Sequence, residues 1–135
     1  KTCKGIYKSL INRARCAAWN EGTSGPGPDV GGYFMSGEDL TIQPGLALQQ
    51  DLALVSLLGL THLERNGHHY VNGMAGLGKG EQDAFLAAHP DLYERSHGAV
   101  RVKITNGELA IGSLDCKGYA SAAMPDWTSM REMQS

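Results

Sequence analysis

Apolar and polar positions alternate along this chain with periods that change from segment to segment, and the changes mark its elements. Ile6, Leu10, Ile11, Ala14, Ala17 and Ala18 fall at helical spacing and predict an amphipathic helix. Glycine and proline dominate residues 22–32, which predicts a loop that is long for a helix-to-strand connection and suggests a family-specific insertion. Tyr33-Phe34-Met35-Ser36 then reads as a short buried strand ending in the polar Gly37-Glu38-Asp39. Pro44 opens a helix running to Leu58, whose leucines at 46, 48, 52, 57 and 58 cover more than one face and predict extensive burial. Leu57-Leu58-Gly59-Leu60 reads as a helix end closed by glycine and leading into a short strand. Beyond residue 70, the glycines from Gly73 to Gly80 predict a mobile loop, and Glu81 to Ala88 a short helix stopped before Pro90. Val100–Ile104 and Glu108–Ile111, joined by Thr105-Asn106-Gly107, carry the pattern of a β-hairpin. No period runs through Ala120–Ser135.

Helix, strand, helix, strand, followed by a further helix and a hairpin, is an α/β order that favours parallel strands with covering helices. Parallel strands are covered on both faces, and the nearly all-apolar helix 44–58 needs a larger body than two or three strands supply. A strand is expected before Lys1, so the chain is expected to be a segment of a longer one. The division anticipated is residues 1–66 as the alternating part and 67–135 as an extension with the glycine-rich loop, short helix and hairpin.

Bulk properties narrow the partners. At 135 residues the length suits one domain, and 12 basic against 14 acidic residues leave a net charge of −2 without a basic stripe. No nucleic-acid partner is expected from that balance. No apolar run approaches the roughly 20 residues that cross a bilayer, and residues 1–30 lack the pattern of a secretory signal, so a soluble, cytoplasmic protein with no membrane partner is expected. Cys3, Cys16 and Cys116 are widely spaced and odd in number, which fits reduced thiols better than a disulfide framework or zinc cage.

Candidate chemistry is densest in Thr61–Tyr70, where His62, Glu64, Arg65, Asn66, His68 and His69 follow an apolar run. At the C-terminal end of a strand such groups stand where α/β folds build active sites.

Read in order, Lys1-Thr2-Cys3-Lys4-Gly5, Phe34-Met35-Ser36-Gly37-Glu38-Asp39-Leu40, Gly45-Leu46-Ala47-Leu48-Gln49-Gln50-Asp51-Leu52-Ala53 and Thr61-His62-Leu63-Glu64 resemble the last third of the enolase superfamily's catalytic barrel. The resemblance is closest to the mandelate racemase and muconate-lactonizing branch. It implies the C-terminal part of a (β/α)7β TIM-like barrel from an acid-sugar dehydratase, racemase or epimerase, a lyase or isomerase. In that family a divalent metal, usually magnesium, holds the substrate carboxylate while a base removes the adjacent proton. Lys1 matches the lysine that serves as base, with Lys4 as the alternative, and Glu38, Asp39, Glu64 and Asn66 match positions that face substrate; His68 or His69, just beyond the match, is expected in the pocket with them. The implied partners are a small carboxylate substrate, the rest of the same barrel and further copies in a homo-oligomer. The metal ligands are expected upstream of Lys1, with none in this segment. The seventh-strand match lacks the histidine of the racemase subgroup, so its His-Asp base pair is not supported.

Plainer roles compete at each position. Lys1 can be a terminal residue and no more, and Glu38-Asp39 can serve the helix that follows. Glu64 and Arg65 can form a strand-end ion pair, and adjacent His68 and His69 point to opposite faces if extended, so both rarely hold one ion. His62 is expected to pack or hydrogen-bond, His89 and His97 to be solvent-exposed, and Met124, Met130 and Met133 to pack or lie in a loose tail. Gly76–Gly80 lacks the spacing of a phosphate loop. The rival function is a non-catalytic small α/β module whose His-rich loop binds a metal or a partner.

Overall fold

The computed structural model describes residues 5–22, 32–38, 43–65 and 67–130. The fold is mixed α/β and divides into two compact units, Lys1–Leu40 with Leu54–Arg65, and Thr41–Ala53 with Asn66–Ser135.

In the first unit, helix α1 (Ile6–Trp19) forms where the apolar spacing predicted it. Its stripe is poorly covered among the described residues: Ser9 is buried, whereas Leu10 and Ile11 are 42% and 53% exposed. Past its end, the Asn20 amide donates to the Tyr33 carbonyl and accepts from the Tyr33 N–H, both at 2.7 Å. That bracket corrects the strand expected at Tyr33–Ser36. With both backbone groups of Tyr33 taken, the ladder starts later, at β1 (Gly37–Glu38), and Tyr33 and Phe34 stay exposed. β1 pairs in parallel with β2 (Leu63–Glu64), Gly37 opposite Leu63 and Glu38 opposite Glu64. Gly37 permits this approach because a Cβ there would overlap the Leu63 side chain.

Helix α2 (Leu46–Leu57) lies between β1 and β2 in sequence, as a parallel pair requires of its crossover. It stops as predicted, at Gly59 with φ 65°. Gly59 N–H bonds the Ser56 carbonyl at 3.0 Å and Leu60 N–H the Val55 carbonyl at 3.1 Å, a Schellman closure. Arg13 adds its Nε–H to the Leu58 carbonyl at 2.8 Å, a cation at the helix end that the dipole favours. Leu48, Leu52, Leu54, Val55 and Leu58 are buried as expected, but Leu57 is exposed.

The second unit is built around Tyr93, the first residue of β3 (Tyr93–Ser96), which runs antiparallel to β4 (Ala99–Val102). The Tyr93 hydroxyl accepts from Gly45 N–H and Gln49 Nε2–H, each at 3.2 Å. Gly45, at φ 126°, is the residue before α2, and its carbonyl takes the first helical bond, from Gln49 N–H at 3.1 Å. Helix α3 (Lys79–Ala88) sends Phe85 against the Tyr93 ring, centroids 6.4 Å apart at a steep angle. Buried Gln82 joins helix to sheet, accepting from Val100 N–H at 3.0 Å and donating to the Leu77 carbonyl at 2.9 Å.

The hairpin therefore lies one turn earlier than expected. His97 (φ 50°) and Gly98 (φ 77°) form its turn, whereas Asn106 (φ 52°) and Gly107 (φ 81°) do turn the chain but are flanked by a single bridge, Thr105 to Glu108. Burial decides between the two: Ala99 and Val100 are fully buried, while Ile104 is 47% exposed and gives a later ladder little to pack on. His89 is also corrected, being fully buried instead of solvent-exposed. Its carbonyl accepts from both Leu92 and Tyr93 N–H, so the chain folds back over it after Pro90. No helix among the described residues is long and apolar enough to cross a membrane.

Replacing Tyr93 with Phe strands Gly45 N–H and the Gln49 amide in a buried place, at an expected cost of about 1–3 kcal/mol. Urea unfolding should show a lower midpoint at unchanged slope; an unmoved midpoint would deny the hydroxyl its tying role.

Candidate functional site

The described site residues that the fold brings together are Glu38 and Glu64. They face each other in register on strands that run parallel, about 4.8 Å apart in any such ladder, so their side chains leave the same face. Glu38 is half-buried and Glu64 exposed. Two carboxylates so placed accept hydrogen bonds from hydroxyl groups or attract a cation.

Lys1, Lys4, Asp39 and Asn66 lie outside the described residues, as does the side chain of His68. The backbone of His68 forms a 3-10 turn, Gly67–His69, with His69 exposed in the second unit. His62 is exposed, meets Phe34 edge-on at 6.0 Å, and accepts from Gly37 N–H through its carbonyl at 2.8 Å. Among the described residues no group of three or more His, Cys, Asp or Glu is placed to hold a metal ion.

Two features escaped the sequence. One is a cavity of about 210 Å³ in the first unit, lined by His62, Phe34, Arg13 and Cys16 among others. It presents a guanidinium, an imidazole and a free thiol, and the first two suit an acid group. Helical spacing put Arg13 and Cys16 on α1 without saying that the end of α2 would meet them.

The other is a polar bracket in the second unit. Ser113 donates its hydroxyl proton to Asp91 through a short contact and its N–H to the same carboxylate at 2.9 Å. Its oxygen lies 3.0 Å from His89 Nδ1. With its proton on Asp91, Ser113 can only accept from His89, which assigns the proton of neutral His89 to Nδ1 and leaves Nε2 buried without a partner among the described residues. This is not a nucleophile with its base: the serine proton points at the carboxylate, and the imidazole is sealed from solvent. Burial raises the Asp91 carboxyl, but the hydrogen bonds from Ser113 and Leu92 outweigh it and hold the group below its ordinary value. Burial lowers the His89 ring, against the opposing charge of Asp91 and the contact with Ser113.

Compared with known proteins, the chain matches no family model, no curated protein and no solved structure. The resemblance to the enolase superfamily thus stands on its motifs alone.

The His89 shift has a definite sign in stability. A base whose folded pKa lies below its unfolded value of about 6.5 leaves the unfolded chain binding more protons. The stabilisation is complete above about pH 6.5 and is lost as pH falls from there through the folded value. His89→Gln should flatten the change in unfolding midpoint between pH 8 and pH 5.5, both chosen to lie above the carboxylate range of about 4. An unchanged pH slope in that variant would remove His89 as its source.

Proposed function

We propose that this chain is the C-terminal barrel portion of a divalent-metal-dependent enzyme of the enolase superfamily, one that abstracts the proton alpha to a carboxylate as an acid-sugar dehydratase, racemase or epimerase. The observation that carries this reading is the parallel β1 and β2 pair flanking α2 in sequence, with Glu38 and Glu64 in register at the strand ends. In a (β/α)7β barrel the last two strands pair in this way, and the ends of the strands form the substrate face.

Magnesium, when bound in such an enzyme, stabilises the negative charge that develops on the substrate. The described residues do not themselves make up its site. Under this proposal the ligands come from strands preceding Lys1, and the work of this chain is to hold substrate and move a proton. Glu38 and Glu64 accept hydrogen bonds from substrate hydroxyl groups, which suits a polyhydroxylated acid better than an apolar one. Lys1 takes the proton. A lysine between other cations or apolar walls gives up its own proton readily, which suits that role.

In the intact enzyme, Lys1→Ala should lower deuterium exchange at the substrate's α-carbon by roughly 10²–10⁴-fold while magnesium binding, followed by calorimetry, stays as in the wild type. Undiminished exchange would take Lys1 out of the base role. An upstream sequence without strand-end carboxylates would overturn the family reading and favour a non-catalytic module.

A further inference from the structure

The second unit holds a cleft of about 1050 Å³ bounded by the start of α2, the start of α3 and the segment Pro125–Met130. Its volume is that of a small-molecule site. Most of its lining is apolar, with Leu46, Leu77, Phe85, Trp127 and Met130 as the large apolar side chains, and its charged groups are two carboxylates, Glu81 and Asp126. No Lys, Arg or His lines it among the described residues.

Glu81 is the unusual member. It is only 9% exposed, yet it has no hydrogen bond or ion pair among the described residues. The cations nearest in sequence and on the adjoining strand are spent elsewhere: Lys79 Nζ lies 2.6 Å from Asp83, and Arg95 contacts the same carboxylate. Asp126 differs, because it caps its own turn, accepting from Thr128 N–H at 3.0 Å and Thr128 Oγ1–H at 2.6 Å. Glu81 is buried as a residue but opens onto the cleft, where no cationic side chain among the described residues meets it, so a ligand cation there would gain a charge-assisted contact. The same cleft is lined by Phe85, buried, and Trp127, 59% exposed, whose indole offers a face of the kind that attracts ammonium groups.

We propose that this cleft binds an organic cation, an ammonium group on an apolar body, with the ammonium on Glu81 and the body against Phe85 and Trp127. The starts of α2 and α3 favour negative charge, but on α3 Glu81 already occupies the first turn and satisfies that preference. An acid ligand would have to sit beside Glu81 and Asp126, so the site selects by charge sign.

Amide NMR of the 135-residue chain, titrated with 2-phenylethylamine, 2-phenylethanol and phenylacetate, decides it. The amine should give saturable shifts at Glu81 and at the Trp127 indole N–H. The alcohol and the acid should bind about ten-fold more weakly or worse. Glu81→Gln should erase the preference of amine over alcohol, and Trp127→Ala should weaken the amine several-fold. Equal binding of amine and alcohol, tighter binding of phenylacetate, full amine affinity in Glu81→Gln, or no amine shifts up to about 10 mM would each overturn the proposal. The ligand comparison on the unaltered chain needs no variant, so it stands if Glu81→Gln does not fold.

Discussion

A single buried hydroxyl holds the second unit together. Tyr93 meets both Phe85 and His89 edge-on, and its oxygen meets the backbone N–H of Gly45 just before α2 and the Gln49 side chain one turn further on. The start of a helix leaves amide groups without partners, and within the core no water is at hand to supply one. Tyr93 meets that need and in doing so sets where β3 begins. From that start follow the pairing with Val102, the turn at His97-Gly98 and the placement of Val100 beneath Gln82.

Other polar side chains do similar work in places where the strands are too short to do it. β1 and β2 are two residues each, and a ladder of that length specifies little. The Asn20 amide ends the freedom of Tyr33, and Arg13 occupies a carbonyl at the end of α2. In the second unit Asp91, Ser113 and His89 join the turn after α3 to a later 3-10 turn, Gly112–Leu114. Each bracket chooses one chain path over its neighbours, and the one at His89 does so with a side chain that is fully buried.

The same accounting separates the two acidic sites. Glu38 and Glu64 stand in register on paired strands, Glu38 half-buried and Glu64 exposed. Glu81 is withdrawn into an apolar cleft with the local cations already engaged by Asp83. No cationic side chain among the described residues lines that cleft.

Much of the order of elements was legible in the residues. The apolar spacing of α1, the run of leucines in α2, the closure at Gly59 and the stop before Pro90 all rest on local rules that act within one or two turns of chain. The parallel direction of the two short strands was readable too, because a helix between them favours it, but the register that sets Glu38 opposite Glu64 was not. Nor were three further features. The strand expected at Tyr33 moved because a side chain 13 residues away took its backbone, the hairpin moved because only Ala99 and Val100 found a core, and His89 was buried by the chain that returns over it. The cavity beside Arg13 and the cleft at Glu81 belong with these. By itself the sequence determined which segments coil, extend or turn, since those preferences lie in neighbouring residues; tertiary structure alone decided which polar groups lost water and which partners replaced it, since that depends on segments distant in the chain.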